Sequence, residues 1–169
     1  GTLIAPGVVL TAAHCASNDT AILCRHPYDT DQRSFEHKPK NLRVRIPTAT
    51  TTHLARAKAW IVPTRTPFCG DDIALLVLDK AVTGVKPMAV ELDAPVKKGE
   101  AIRFVGFGID ESNRGGSRRE LDGIRVLDVG TSVSRDEFMG LSTKQTEFEI
   151  PTGPCFGDSG GPAISSRTN

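Results

Sequence analysis

Three short segments carry side chains that could act together in nucleophilic chemistry. Cys155-Phe156-Gly157-Asp158-Ser159-Gly160-Gly161-Pro162 sets a serine among glycines. Glycine permits backbone conformations closed to other residues and lets a substrate approach the chain closely. Backbone N–H groups left free there could point at a developing oxyanion. Thr11-Ala12-Ala13-His14-Cys15 supplies an imidazole, and Asp72-Ile73-Ala74-Leu75-Leu76 puts a carboxylate at the mouth of an apolar stretch. A serine hydroxyl is a weak nucleophile at neutral pH, so a base must take its proton during attack. Imidazole suits that task because its unperturbed pKa lies near neutrality. A carboxylate behind it would fix the tautomer and stabilise the imidazolium. Taken singly, each segment also has an ordinary reading: a histidine among small residues is commonly structural, and an aspartate before a strand is commonly a turn residue.

The elements that must position these residues read as short strands. Val8-Val9-Leu10 follows the turn pair Pro6-Gly7, and Ile73 to Leu78 is bounded by Gly70-Asp71-Asp72 and Asp79-Lys80. Ala101 to Phe107 is a third apolar stretch. Leu42 to Ile46 alternates apolar and basic residues, and Thr146 to Ile150 alternates through Phe148 and Ile150, the period of a half-buried strand. Leu54 to Trp60 fits a short helix or an irregular strand. Arg135 to Leu141 fits a helical turn with Ser134 as N-cap and Glu137 three residues on. Asp110 to Asp122 reads as an exposed, mobile loop open to nicking. Pro87 to Lys98 reads as the linker between two halves. Many short strands split by Gly, Pro, Asp and Asn suggest an all-β sandwich or barrel.

Composition narrows the classes. The 169 residues carry 21 Lys and Arg against 20 Asp and Glu, a net charge of +1. That balance has no electrostatic footprint for nucleic acid or an anionic membrane. The longest apolar run, Ile73 to Leu78, falls far short of the ~20 residues a membrane helix needs. No C-x-x-C pair occurs among Cys15, Cys24, Cys69 and Cys155, so a zinc ribbon has no support. An even cysteine count suits an oxidising compartment, with several connectivities open. His26, His37 and His53 read as surface residues. Asp29, Asp31 and Glu36 form no metal-ligand pattern and read as a solvated loop.

Taken together, the three segments and the Val105-Gly106-Phe107-Gly108 stretch resemble the chymotrypsin/trypsin family of serine proteases. The chain order His, Asp, Ser is that family's order, whereas subtilisins and α/β-hydrolases order the same groups differently. A lipase-like or esterase reading on another fold is set aside on that order. The resemblance implies an all-β fold of two antiparallel barrels within one peptidase domain over 1–169. The first barrel, with His14 and Asp72, would span 1–90, and the second, with Ser159, 91–169. It implies Ser159 as nucleophile, His14 as general base and Asp72 as the carboxylate that orients it, while Asp71 is a solvated turn residue. The N–H groups of Gly157 and Ser159 would form the oxyanion hole. Asp158 matches the residue that pairs with a new N-terminal amine on activation, an amine other than that of Gly1.

In that family the base of the primary specificity pocket lies six positions before the nucleophile, which the resemblance puts at Gly153 here, beside Pro154. Without a carboxylate there, a small or apolar residue before the scissile bond is expected, rather than Arg or Lys. The resemblance also implies a Cys24–Cys69 disulfide, with partners for Cys15 and Cys155 outside this sequence. Family members continue beyond both ends, so the 169-residue chain alone is expected to be poorly stable and inactive. The expected activity is serine endopeptidase, secreted or extracytoplasmic, without metal or cofactor. Proteins or peptides are the implied substrates and protein inhibitors the implied partners. A non-catalytic homologue serving as a binding or regulatory module is the alternative.

Overall fold

The computed structural model describes residues 1–16, 41–48, 51–63, 72–130 and 147–168. Regular structure there is mainly β-strand, with 3-10 turns at Ala13–Ala16 and Ser166–Thr168. Strands β1 (Thr2–Ala5), β2 (Val8–Thr11), β3 (Arg43–Pro47), β4 (Thr52–Ile61) and β5 (Ala74–Leu78) form one antiparallel sheet in the order β1-β2-β5-β4-β3. Strands β6 (Ala101–Gly106), β7 (Arg119–Arg125) and β10 (Ala163–Ser165) form a second sheet, ordered β10-β6-β7. β8 (Asp128–Val129) pairs with β9 (Phe148–Glu149).

The pleat of β5 shows why its apolar run folds as it does. Ala74, Leu76 and Leu78 are buried on one face, while Leu75 and Val77 are half-buried on the other. The first sheet's core joins Leu76 and Leu78 to Val9, Ala55, Ala57 and Val82, with Leu3, Val44, Ile46 and Trp60 packed around them. Alternation of this kind pins register, because a slip of one residue would turn the apolar set outward. Ile73 lies outside the strand and is 46% exposed, so the apolar run is one residue longer than the element.

Leu54 to Trp60 is strand rather than helix. Its first half pairs with β3, its second half with β5, and a register shift between Ala57 and Ala59 lets one strand serve both. A bulge of this sort bends a strand and increases its twist. His53 is half-buried on β4 rather than a surface residue. The loop expected over Asp110 to Asp122 is shorter than its composition suggested, because β7 begins at Arg119. It is also tied down. Asp110 Oδ1 accepts from the N–H groups of Ser112 and Arg114 at 2.9 Å, and Asp110 Oδ2 pairs with Arg119 at 2.9 Å. Those backbone N–H groups, first that of Arg114, then the Arg119 charge, hold the Asp110 carboxyl below its ordinary value.

Pro87 to Lys98 runs without strand between the two sets of strands. It is fastened to both: Met88 N–H donates to Leu3 O, and Arg167 donates to the carbonyls of Ala94 and Pro95. Arg167 also meets the Glu100 carboxylate, whose side chain is 4% exposed and which accepts from Ser165 Oγ at 2.6 Å. The Ser165 hydrogen bond is the main cause that holds Glu100 below its ordinary value. Cys24, Cys69, Asp71, His26, His37, Asp29, Asp31, Glu36 and the segment 134–141 lie outside the described residues, so the expected disulfide and helical turn do too.

Candidate active site

β2 ends at Thr11, and the chain turns at once into the 3-10 turn that carries His14. β5 begins at Ala74 and pairs antiparallel with β2, so Thr11 lies opposite Ala74. The strand pairing therefore brings the end of one strand beside the start of the other, and with it Asp72 beside His14. Asp72 Oδ1 accepts from the His14 backbone N–H at 2.8 Å, and Oδ2 lies 2.6 Å from His14 Nδ1. A carboxylate has only acceptors to offer, so the proton between them belongs to Nδ1. In the neutral ring this leaves Nε2 with its lone pair, able to take a proton from a third group. Both side chains are about one-third exposed, at 31% and 33%, so the ring edge can reach a substrate.

Ser159 sits between two consecutive turns. Asp158 N–H donates to Cys155 O at 3.0 Å, and Gly161 N–H donates to Asp158 O at 2.8 Å. Among the described residues, no backbone acceptor receives the N–H of Gly157 or of Ser159. Gly157 has φ +91 and faces Gly108 Cα, a conformation that an L side chain rarely adopts.

The Asp158 side chain turns inward and staples this loop to the strandless segment that follows β6. Its Oδ1 accepts from Gly108 N–H at 2.6 Å and its Oδ2 from Cys155 N–H at 3.0 Å. Ile109 N–H donates to Phe156 O at 2.9 Å. A Cβ on Gly106 or Gly108 would collide with the Asp158 carboxylate, so both glycines are required by that close approach.

The same loop docks on the histidine turn. Gly160, at φ +72, lies so close to Thr11 Oγ1 and Ala12 N that no side chain fits. Cys15 Sγ donates to Ser159 O at 3.4 Å. Desolvation pushes the Cys15 thiol above its ordinary value, against the opposing effects of the Thr11 hydrogen bond and the Gly1 ammonium. The structure thus gathers His14, Asp72 and the Ser159 loop beside one cleft of about 870 Å³, lined by Leu10, Ala12, Asp72, Ile102, Gly161 and Ile164.

A family model described as Trypsin matches residues 1–169. The chain belongs to the trypsin family. No curated relative matches it in sequence. Membership fixes the class as serine-type peptidase and the fold as the all-β trypsin-like fold. Of the trypsin-family positions read from the sequence, Gly153 lies under Ile150: a Cβ there would stand 2.5 Å from Ile150 Cδ1, with Phe104 beyond. Pro154 is exposed next to it. Residues that sequence reasoning passed over are Thr11, against which Gly160 docks, and Phe156, which is 82% exposed beside Gly157. The only signal for Phe156 was a large apolar side chain inside an otherwise small, polar turn. Among the described residues, no helix is long and apolar enough to cross a membrane.

Proposed function

We propose that the protein is a secreted serine endopeptidase in which Ser159 attacks the scissile carbonyl, His14 takes the serine proton and Asp72 orients His14. The observation that carries this reading is the double contact of Asp72 with His14, on both the backbone N–H and Nδ1. Two hydrogen bonds accepted by one carboxylate fix the ring's position and its tautomer, and only then is Nε2 a base. The balance of the reaction follows. Ser159 Oγ forms a bond to the carbonyl carbon as its proton moves to Nε2. The carbonyl oxygen becomes an oxyanion between the N–H groups of Gly157 and Ser159. The C–N bond then breaks, the leaving amine takes the proton from Nε2, and water repeats the sequence to free the acyl group.

The N–H groups of Gly157 and Ser159, which no backbone acceptor among the described residues receives, support their role as the oxyanion hole, and each such donor is worth roughly 2.7–4 kcal/mol in the transition state. Asp158 supports that geometry by holding the loop to Gly108 and Cys155. Its position is compatible with an ion pair to an amine released on activation. Gly153, with Ile150 and Phe104 around it, favours a small or apolar residue before the cleaved bond. Cleavage of a peptide library by the full-length protein tests this reading. Hydrolysis after small or apolar residues, absent in Ser159→Ala, is expected. Cleavage after Arg or Lys would overturn the preference, and turnover by Ser159→Ala would overturn the mechanism.

A further inference from the structure

Two planar peptide groups lead from the start of β7 to the Ser159 turn. The first joins Gly108 to Ile109. Its carbonyl oxygen accepts from Arg119 Nη1 at 3.4 Å, and its N–H, on Ile109, donates to Phe156 O at 2.9 Å. The second joins Phe156 to Gly157. Its oxygen is the one that receives the Ile109 N–H, and its own N–H, on Gly157, has no backbone acceptor among the described residues. In a trans peptide the C=O and the N–H point in opposite directions. A contact that fixes one end therefore fixes the other. Arg119 holds the first group by its oxygen, the first group holds the second by its oxygen, and the Gly157 N–H is left pointing away from Ile109.

Neither group is fixed by its own residues. Each has a glycine on one side, and glycine lets a peptide plane rotate with little steric resistance. Neither glycine can give way to a stiffer residue. A Cβ on Gly108 would strike the Asp158 carboxylate, and Gly157 has φ +91 with a Cβ position only 3.1 Å from Gly108 Cα. Orientation has to come from elsewhere, and among the described residues Arg119 is the side chain that donates to the Gly108 carbonyl. Arg119 is itself well anchored. It stands opposite Gly106 in the β6–β7 ladder, its Nη2 meets Asp110 Oδ2 at 2.9 Å, and its Nη1 also donates to Arg114 O at 3.1 Å. A rigid guanidinium fork makes these contacts at once, which a single ammonium cannot.

We propose that Arg119 is a positioning residue for the oxyanion hole: by holding the Gly108 carbonyl it keeps the Gly157 N–H turned toward the developing charge. The role of Gly157 rests on the proposed catalysis, whereas the two linked peptide groups rest on geometry alone. Hydrogen bonds in series also polarise one another, so the contact strengthens Gly157 as a donor. No proton or bond change passes through Arg119. Its effect is felt in the transition state, because the oxyanion needs these donors far more than the ground-state carbonyl does.

Kinetics of Arg119→Met in the full-length protein test this, since Met fills similar space and removes every donor. On a peptide that the parent cleaves, kcat should fall about tenfold or more with KM little changed, short of the roughly 10²–10³ that follows outright loss of an oxyanion donor. Affinity for a peptide aldehyde, whose adduct with Ser159 carries the oxyanion, should fall by a like factor. Arg119→Lys keeps the charge without the fork and should recover only part of the rate. Arg118→Met is the control, because Arg118 pairs with Glu120, and it should match the parent. Amide exchange read by mass spectrometry needs no catalysis: the segments holding Ile109 and Gly157 should exchange faster in Arg119→Met than in the parent. Faster exchange there in a protein whose parent cleaves nothing would count against the catalytic reading alone and still support the hold on Gly157. If Arg119→Met melts early, Arg119→Lys replaces it with a several-fold fall in kcat expected. An unchanged kcat, a rise in KM at unchanged kcat, or exchange like the parent's would overturn the proposal.

Discussion

Asp72 meets His14 through both carboxylate oxygens, so its role separates cleanly from that of a mere turn residue. Asp72→Asn keeps the size and the contact with the His14 backbone. Its amide, however, can present N–H to Nδ1 and so favour the tautomer that protonates Nε2. We expect kcat on a peptide substrate to fall about 10⁴-fold, the loss the same change makes in well-studied members of this family, with little change in the melting temperature. Ser159→Ala should lower kcat about 10⁶-fold and leave the fold intact, as circular dichroism would show. These residues were legible because their motifs are local: each lies within a few residues of a strand end or a glycine turn. Phe156 and Thr11 were not, since an exposed side chain and a docking contact depend on where distant segments meet.

Strands and turns set how closely those groups are held. Gly160 carries a prediction of its own, because a side chain there would strike Thr11 and Ala12 and would require a left-handed backbone. Gly160→Ala should push the Ser159 loop off the histidine turn. We expect kcat/KM to fall by two orders of magnitude or so, since a misplacement of about 1 Å is enough for that. Overpacking should also lower stability by roughly 1–3 kcal/mol in denaturant titration. Strand existence was readable from apolar runs bounded by turn residues at β2, β5 and β6, and from alternation at β3 and β9. The reading of β7 failed for a physical reason. Its residues are nearly all exposed, from Arg119 to Gly123, so the strand has no apolar face to announce it. What makes it a strand is its ladder with β6, a non-local pairing. The helix-or-strand ambiguity of β4 reflects the end of its alternation, where Ala59 and Trp60 are both half-buried just beyond the bulge.

Contacts fasten each set of strands to the segment between them, and the Glu100 network does so for the second set. The buried Glu100 carboxylate gathers Ser165, Arg167 and the Lys97 N–H, and Arg167 in turn holds the Ala94 and Pro95 carbonyls. A carboxyl held below its ordinary value stabilises the fold above that value and loses the contribution as pH falls through its lowered one. Thermal melts should therefore drop more steeply for the parent than for Glu100→Gln as pH falls below about 4.3, while at pH 7 the variant should be less stable by about 1–3 kcal/mol. None of this network was legible in the sequence, where Glu100 and Arg167 are two charged residues far apart.

The central claim remains that the chain assembles His14, Asp72 and Ser159 into a working nucleophile. Labelling of the folded, full-length protein with a fluorophosphonate probe, mapped by mass spectrometry, tests it most directly. The account predicts one covalent adduct, on Ser159, lost in Ser159→Ala and strongly slowed in His14→Ala. An adduct elsewhere, or a folded protein whose Ser159 stays unlabelled, would contradict it.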